Sequence, residues 1–302
     1  GKYLIETLDS IVKQDEFNKI KVVVCNNNSS DDTDEMMKDY VHFDNINYIY
    51  NNELLSIDDN MMKVAAFVKT KYFLWLGDDD FIVKGGIKKI LNYLKFNDYN
   101  FILLSASRVS ENLEINLGCN LETSMKDIEI SGNVVYKNPN IFFLKHCFHM
   151  PFGTLLVRKK SYDLVIKENE RFRGTSHAYS GLVFDYLAKE YLRDSHVEIL
   201  LVREELVMLR QIEKTWKKNA MRIMFQEIPE WFYLFDKSYF SEVEITVKYY
   251  LDLQFKIRSL ISRSLYGYIN FKNFKEHTKY ANHIQKFKYI SACLLPTIKS
   301  VE

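Results

Sequence analysis

Cysteine, proline and glycine are all scarce in this chain of 302 residues. The four cysteines, Cys25, Cys119, Cys147 and Cys293, lie far apart, which matches neither a zinc-binding motif nor a disulfide-rich secreted domain. Their spacing favours a reducing compartment. Only four prolines and ten glycines occur, and the sequence contains no proline-rich or glycine-rich linker and no internal repeat.

The chain also lacks an excess of charge of either sign. Its 41 Lys and Arg side chains against 40 Asp and Glu leave a net charge of +1, which argues against a protein that coats nucleic acid along its whole length. No apolar run reaches the roughly 18 to 20 residues that would span a bilayer. No charged-then-apolar leader precedes the first predicted helix. We therefore expect a cytoplasmic protein.

What is present is enough hydrophobic sequence, 47% of the chain, to bury one main core and an appendage. Strand and helix patterns alternate over the first hundred residues, which predicts an α/β fold with a mostly parallel sheet between helices. Beyond residue 215 only helical patterns occur, so we predict a domain over 1–215 and a helical extension over 216–302. The predicted strands are 20–25, 46–50, 72–76, 101–105, 151–158 and 196–202, and the predicted helices are 3–12, 60–68, 86–94, 170–190 and one that begins at a capping box formed by Asp32 and Glu35.

Three consecutive carboxylates, Asp78, Asp79 and Asp80, follow the apolar run at 72–76. Like charges at a strand end repel one another and must be solvated or shared with a cation. Carboxylate oxygens suit Mg²⁺ or Mn²⁺, which take one or two protein carboxylates and complete their shells with water or phosphate. This segment, residues 77–80, is called the acidic turn below. It predicts a divalent-metal site, with a solvated turn as the alternative.

A second polar segment, residues 26–31, follows the strand predicted at 20–25 and is called the asparagine turn below. In open α/β sheets, ligands bind beyond the carboxyl ends of the strands. Both turns lie where that rule places a site.

The two turns together carry a resemblance to a known family. The run YFLWLGDDD at 72–80, followed by GGI at 85–87, resembles the strand, acidic DXD turn and helix of family 2 glycosyltransferases. The run VVVCNNNSSDDT at 22–33 resembles the same family's second strand and nucleotide-binding turn. The resemblance covers about residues 1–215 and implies the GT-A fold, in an abequosyltransferase-like enzyme of bacterial surface-glycan synthesis.

The resemblance also implies an activity and a set of roles. The expected reaction is the inverting transfer of a sugar from a nucleoside-diphosphate donor, with a UDP-sugar favoured, to a hydroxyl of a growing, lipid-linked glycan. Asp78 and Asp80 would hold Mn²⁺ or Mg²⁺, with Asp80 the direct ligand, while Asp79 faces the nucleotide and turns away from the ion. The remaining residues expected to contact the nucleotide or its diphosphate are Asn26, Asn27, Ser29, Arg210 and Trp216.

This sequence departs from the family pattern in three places. It begins inside the helix that follows the family's opening strand. Asn26 and Asn27 stand where the family often has Asp, although an amide can also pair with uracil. The family's Glu-Asp pair has no counterpart in FRGTSHAY at 172–179. We therefore expect His177 to be the general base, because an imidazole titrates near neutrality, with Asp185 as an alternative base or orienting partner. The alternatives are that His177 is a structural histidine, that Asp185 is a surface carboxylate, and that Arg210 serves only packing.

The C-terminal segment has a local excess of basic residues interleaved with aromatic ones. This combination predicts a helix that lies on an anionic membrane, with a helical lid on the catalytic domain as the alternative. No nucleic-acid-binding module is recognisable. The basic residues of the C-terminal segment are Lys256, Arg258, Arg263, Lys272, Lys275, Lys279, Lys286, Lys288 and Lys299.

Two other functions remain open for the whole chain: an Asp-dependent phosphotransferase, and a catalytically silent module that binds sugar nucleotides.

Overall fold

The computed structural model describes residues 1–119, 128–131, 152–166, 170–175, 177–192, 197–212, 220–235, 243–265 and 268–295. The chain divides into two compact units, Gly1–Ile212 and Glu213–Glu302, and each is described by itself. Within the described residues, no helix is both long and apolar enough to cross a bilayer.

The first unit begins with a helix and a small parallel sheet. Helix α1 (Lys2–Val12) is followed by β1 (Val22–Asn26), α2 (Thr33–Met37) and β2 (Ile46–Tyr50), and β1 pairs with β2 in parallel. Leu8 of α1 packs with Met37, Tyr40 and Ile46, as the helical spacing of its apolar residues requires. The predicted capping box does not form: Asp32 occupies the N-cap position of α2 without a side-chain bond. Asp31 accepts the Thr33 N–H at 3.1 Å instead.

A seven-stranded sheet forms the centre of this unit. The strand order is β3-β8-β5-β9-β4, with β6 paired to β5 and β7 paired to β9. The strands are β3 (Tyr72–Leu74), β4 (Phe81–Ile82), β5 (Phe101–Ser110), β6 (Asn116–Cys119), β7 (Ile128–Ser131), β8 (Leu155–Arg158) and β9 (Glu198–Gln211).

The directions of these strands correct the prediction of a mostly parallel sheet. Among the described strands, only β1–β2 and β5–β9 pair in parallel. β3 and β5 run in the same direction, as strand–helix alternation predicts, but β8 lies between them and is antiparallel to both. The alternating pattern therefore predicted the relative direction of β3 and β5. It did not predict their pairing, because β8, a strand from later in the chain, lies between them.

Helices cover this sheet and complete a mixed α/β architecture. They are α3 (Ile57–Ala66), α4 (Gly86–Phe96), α5 (Lys159–Val165) and α6 (Ala178–Leu192). Ile90 of α4 packs on Ile102 and Leu104 of β5 and on Leu200 of β9, and these side chains are buried. The longest strands, β5 and β9, therefore lie in the core and hold the shorter strands in place.

The described residues of the second unit form helices joined by short turns, and none of them forms a strand. Its helices are α7 (Ala220–Arg222), a π-helical segment (Ile223–Glu227), α8 (Ile228–Phe232), α9 (Val243–Gln254), α10 (Ile257–Leu265), α11 (Phe274–His277) and α12 (His283–Cys293). Phe225, Phe255 and Tyr289 form an aromatic core that also encloses His277. Burial lowers the pKa of His277. Its Nδ1 lies 2.8 Å from the hydroxyl of Tyr289.

Candidate active site

The acidic turn connects β3 to β4 and holds its carboxylates at different depths. Asp78 is exposed, whereas Asp79 and Asp80 are buried, with only 4% of Asp80 accessible. Asp80 Oδ1 accepts the backbone N–H of Arg210 at 3.1 Å, a contact between residues 130 positions apart. The backbone N–H of Asp80 donates to the carbonyl of Gly77 at 3.3 Å, which closes the turn.

Gly77 is the residue around which the two buried carboxylates come together. A Cβ atom at this position would lie 2.7 Å from Asp80 Oδ2 and 2.9 Å from Asp79 Oδ1, closer than side-chain atoms approach one another. The turn therefore needs a glycine, because any larger residue would displace a carboxylate. An oxygen of each side chain lies beside this glycine, and the expectation that Asp79 turns away from the ion stays a prediction.

Helix α1 holds the acidic turn and the segment after it by their backbones. The Thr7 hydroxyl donates to the carbonyl of Asp78 at 2.9 Å, and the Gln14 amide donates to the carbonyl of Val83 at 2.9 Å. Ser10 accepts the backbone N–H at the second residue of β4 at 3.2 Å. Thr7 and Ser10 lie three residues apart on one face of α1, and Gln14 follows the end of the helix, so α1 and the residues directly after it fix the path of the turn.

Arg210 lies behind the acidic turn with its side chain almost fully buried, 2% exposed. Its guanidinium stacks between the rings of Tyr3, at 4.4 Å, and Phe81, at 4.6 Å, and pairs with Glu6. The Nε atom has no hydrogen-bond partner. Stacking and burial hold the guanidinium in this position, and the backbone N–H of Arg210 positions Asp80. Contact of Arg210 with the diphosphate stays a prediction.

The asparagine turn is stabilised by its own side chains. Asn26 is buried at the end of β1, and its amide donates to Asp34 Oδ1 at 2.9 Å and to the Tyr48 hydroxyl at 2.8 Å. The side-chain oxygen Oδ1 of Asn26 accepts the backbone N–H of Ser29 at 2.8 Å. Burial and the bond to Asp34 raise the pKa of Tyr48 to about 12. Asn26 therefore shapes the turn, because both of its donor hydrogens are used inside the protein.

The rest of the asparagine turn divides into a supporting residue and an exposed tip. The Asn27 amide donates to the carbonyl of Leu55 at 2.9 Å, and its oxygen accepts the N–H of Leu55 at 3.0 Å. Asn28 has a φ of 58°, a conformation that Asn tolerates better than most residues. Asn28, Ser29 and Ser30 are exposed. Of the three residues expected to contact the nucleoside, Ser29 is the one at the exposed tip.

Helix α3 forms hydrogen bonds with both segments that precede the two turns. Asn60 accepts the Cys25 thiol at 3.2 Å, one residue before the end of β1. The carbonyl of Met61 accepts the Trp75 indole N–H at 3.3 Å, three residues before Asp78. Helix α3 therefore contacts β1 and the residue that follows β3, the segments from which the two turns begin.

The same helix contacts the segment that contains His177. Asp58 of α3 is buried and accepts the backbone N–H of Ala178, the first residue of α6, at 3.4 Å. His177 is half-buried, with Nδ1 3.0 Å from the carbonyl of Thr175. Because a carbonyl oxygen only accepts hydrogen bonds, this contact places a proton on Nδ1. Asp185 lies two turns further along α6, and its side chain is outside the described residues.

The acidic turn fits a divalent ion that is only partly ligated by protein. Within the described residues, no group of three or more His, Cys, Asp or Glu side chains forms a site made of protein ligands alone. Two buried carboxylates beside an exposed third one match ions that take one or two protein carboxylates and leave positions for phosphate. Trp216, expected beside the diphosphate, lies outside the described residues.

Comparison with known proteins identifies the class. The model of the glycosyl transferase family 2 matches residues 1–162, more than half of the chain, and this protein belongs to that family. The resemblance seen at the two turns is thereby confirmed, and the chain is a glycosyltransferase. Among curated proteins, none matches this chain.

Solved structures agree on the fold. The chain is similar to TarS 1–349 of S. aureus in complex with UDP-GlcNAc, with a TM-score of 0.62 and 13% identity over 97% of this chain and 86% of that one. The complex of TarS 1–349 with UDP gives 0.61 and 13%, over 97% and 85%. A longer TarS structure gives 0.59 and 14%, over 97% and 52%. At these identities the likeness shows the fold alone, and this fold is GT-A.

Several residues that build the site were not identified from the sequence. A signal existed for Thr7 and Ser10, which are polar positions three residues apart on a face of α1 that also has to pack. Nothing in the sequence distinguishes Asp58 from its exposed neighbours, or reveals that Asn60 contacts β1. Their roles depend on which strands lie beside α3.

Proposed function

We propose that this protein transfers a sugar from a nucleoside-diphosphate donor to a hydroxyl acceptor, with inversion at the anomeric carbon and with the help of a divalent cation. The observation that carries the proposal is the acidic turn of this family 2 glycosyltransferase, in which Asp78 is exposed, Asp79 and Asp80 are buried, and an oxygen of each buried carboxylate lies beside Gly77. Buried carboxylates without a cation would repel each other, whereas a cation and a diphosphate would share their charge.

The acidic turn supplies the electrostatic part of the reaction. Asp80 would hold Mn²⁺ or Mg²⁺ through Oδ2, since Oδ1 is bonded to Arg210, and the exposed Asp78 would complete the protein ligands. When bound, the ion stabilises negative charge on the departing nucleoside diphosphate. Thr7 and the backbone of Arg210 keep the turn in place, so that its geometry is set before the donor arrives.

A UDP-sugar is the favoured donor. The similar TarS structures were solved with UDP and with UDP-GlcNAc, and the asparagine turn occupies the end of a strand, where α/β folds bind ligands. Ser29, exposed at the tip, would contact the nucleoside, while Asn26 and Asn27 hold the turn from below. Trp216 remains a candidate for the diphosphate side.

His177 is the proposed general base. Since Nδ1 faces the Thr175 carbonyl, Nε2 is the ring nitrogen that would accept the proton of a sugar hydroxyl. Asp58 positions the segment by bonding Ala178, the next residue. Asp185 is the alternative base or the orienting partner. We propose a lipid-linked bacterial glycan as the acceptor, since related enzymes build surface polysaccharides, and a peripheral position at the inner membrane face.

A panel of nucleotide sugars tests the proposal. Purified full-length protein is screened for thermal stabilisation by each donor with Mn²⁺, Mg²⁺ or chelator, and donors that stabilise are followed for release of nucleoside diphosphate. We expect metal-dependent stabilisation by one UDP-sugar together with turnover. Binding without turnover, even with glycan acceptors, would identify a silent binding module. With His177→Ala, we expect turnover to fall by about a hundredfold or more while donor binding is retained.

A further inference from the structure

The last helix of the described chain has an apolar face that points to solvent. Ile284, Phe287 and Leu294 are 68%, 69% and 72% exposed, and Ile290 is exposed beside them. On a helix with 3.6 residues per turn, these positions lie along one side. The opposite side is packed against the second unit and consists of Gln285, Tyr289 and Ala292. Helix α12 is therefore amphipathic, but its apolar face is the exposed one, and its buried face contains a glutamine and a tyrosine.

Lysines border this apolar stripe. Lys286 and Lys288 lie on its two edges, each half-buried. Phe271 and Lys272, ahead of α11, and Lys275 within α11 add an exposed aromatic ring and two exposed cations. Residues 268–295 carry five lysines and one glutamate. Within the described residues, none of Lys272, Lys275, Lys286 and Lys288 forms an ion pair.

We propose that this face of α12 lies on an anionic lipid surface, with Ile284, Phe287, Leu294 and Leu295 inserted among the acyl chains and the flanking lysines at the headgroups. An apolar stripe with cations on both edges suits the boundary between acyl chains and anionic headgroups, because the long lysine side chains can reach outward from a buried stripe. The second occupant to consider is another copy of this chain. It is disfavoured, because a symmetric contact between two such stripes would bring lysine edges together.

The inference deepens the proposed function, since it would bring the enzyme to a lipid-linked acceptor, but lipid binding does not depend on catalysis. The test is co-sedimentation of the full chain with phosphatidylcholine vesicles, with and without phosphatidylglycerol. We expect binding only to the anionic vesicles, weakening as salt rises. Ile284→Glu/Phe287→Glu should lose binding by about tenfold or more. Lys286→Glu/Lys288→Glu should lose about fivefold or more for each lysine.

Control variants separate lipid binding through α12 from nonspecific adsorption to vesicles and from misfolding. Val41→Glu/Leu54→Glu changes two exposed apolar residues of the first unit and should bind as the unmodified chain does. All variants are checked for unchanged thermal unfolding, and the mass of each in solution is measured by light scattering.

The proposal would be overturned by absence of binding by the unmodified chain, by equal binding to neutral vesicles, or by equal binding of the α12 variants. A dimer that the Ile284→Glu/Phe287→Glu variant dissociates would also overturn it and assign the face to self-association. Because vesicle binding is read without a donor sugar, it can fail while glycosyl transfer succeeds, and the reverse.

Discussion

The acidic turn and the asparagine turn both follow a strand end and both consist of polar side chains, yet they use those side chains in opposite ways. In the acidic turn, the backbone is held from outside by Thr7 and the buried carboxylates converge beside a glycine. In the asparagine turn, the side chains of Asn26 and Asn27 hold the turn itself, and the exposed residues follow them. The acidic turn therefore offers its side chains to a ligand, whereas the asparagine turn uses its side chains to hold its own backbone.

The comparison predicts that the largest loss comes from removing a presented carboxylate. Asp80→Ala should lower metal-dependent turnover by about a hundredfold or more, because charge stabilisation by a bound metal contributes several kcal/mol. Asp78→Ala should have a smaller effect, since that residue is exposed. Initial rates against Mn²⁺ concentration measure both, with Asp15→Ala, an exposed carboxylate on another segment, as the control. Wild-type manganese dependence in Asp80→Ala would remove the metal role from this turn.

The second prediction tests whether the carboxylates need the space above Gly77. Gly77→Ala places a methyl group 2.7 Å from Asp80 Oδ2 and should cost about 1–3 kcal/mol of stability through crowding, with a weaker metal response. Gly85→Ala is the matched control. Its Cβ would meet no atom within 4 Å, but its φ of 76° makes alanine strained by about 1–2 kcal/mol.

Chemical denaturation measures the loss of stability, and Mn²⁺ titration of turnover measures the metal response. The two variants should lose similar stability, but only Gly77→Ala should raise the Mn²⁺ concentration needed for half-maximal activity. Equal metal responses would mean that convergence at Gly77 is incidental.

The third prediction concerns the scaffold turn. Asn26→Ala removes two donated bonds and one accepted bond at a buried position and should cost about 1–3 kcal/mol of unfolding free energy. Ser29→Ala, at the exposed tip, should stay within about 0.5 kcal/mol and raise the KM for the donor instead. Thermal unfolding and donor titration separate the two effects. A stable Asn26→Ala protein with weak donor binding would return Asn26 to the nucleoside pocket.

The sequence predicted those features that depend on local pattern. Strand 46–50 was predicted with its observed bounds, and helix α1 was predicted to within one residue, because their apolar residues repeat at the period of the element. The acidic turn was found by its chemistry, since three adjacent carboxylates are rarely neutral with respect to function. The family resemblance at the two turns came from spacing as well as residue type.

The remaining features depend on contacts between distant parts of the chain. β4 has two residues and β6 and β7 have four, too few to show a period. The bond from Arg210 to Asp80 spans 130 positions, and no local rule reveals that the backbone N–H of Arg210 bonds Asp80. The buried state of Asn26 likewise depends on Tyr48 in the neighbouring strand.

The smallest expected effect tests whether α1 holds the acidic turn from outside. Thr7→Val keeps the shape of a buried side chain but removes the hydroxyl that donates to the Asp78 carbonyl, and should cost about 1 kcal/mol. Because the backbone of the turn would then be less constrained, turnover should fall severalfold while donor binding changes little. Thr7→Ser retains a hydroxyl and should restore most of the turnover. If valine and serine variants have equal turnover, Thr7 contributes only packing, and the acidic turn is held by Gly77 and Arg210 without help from α1.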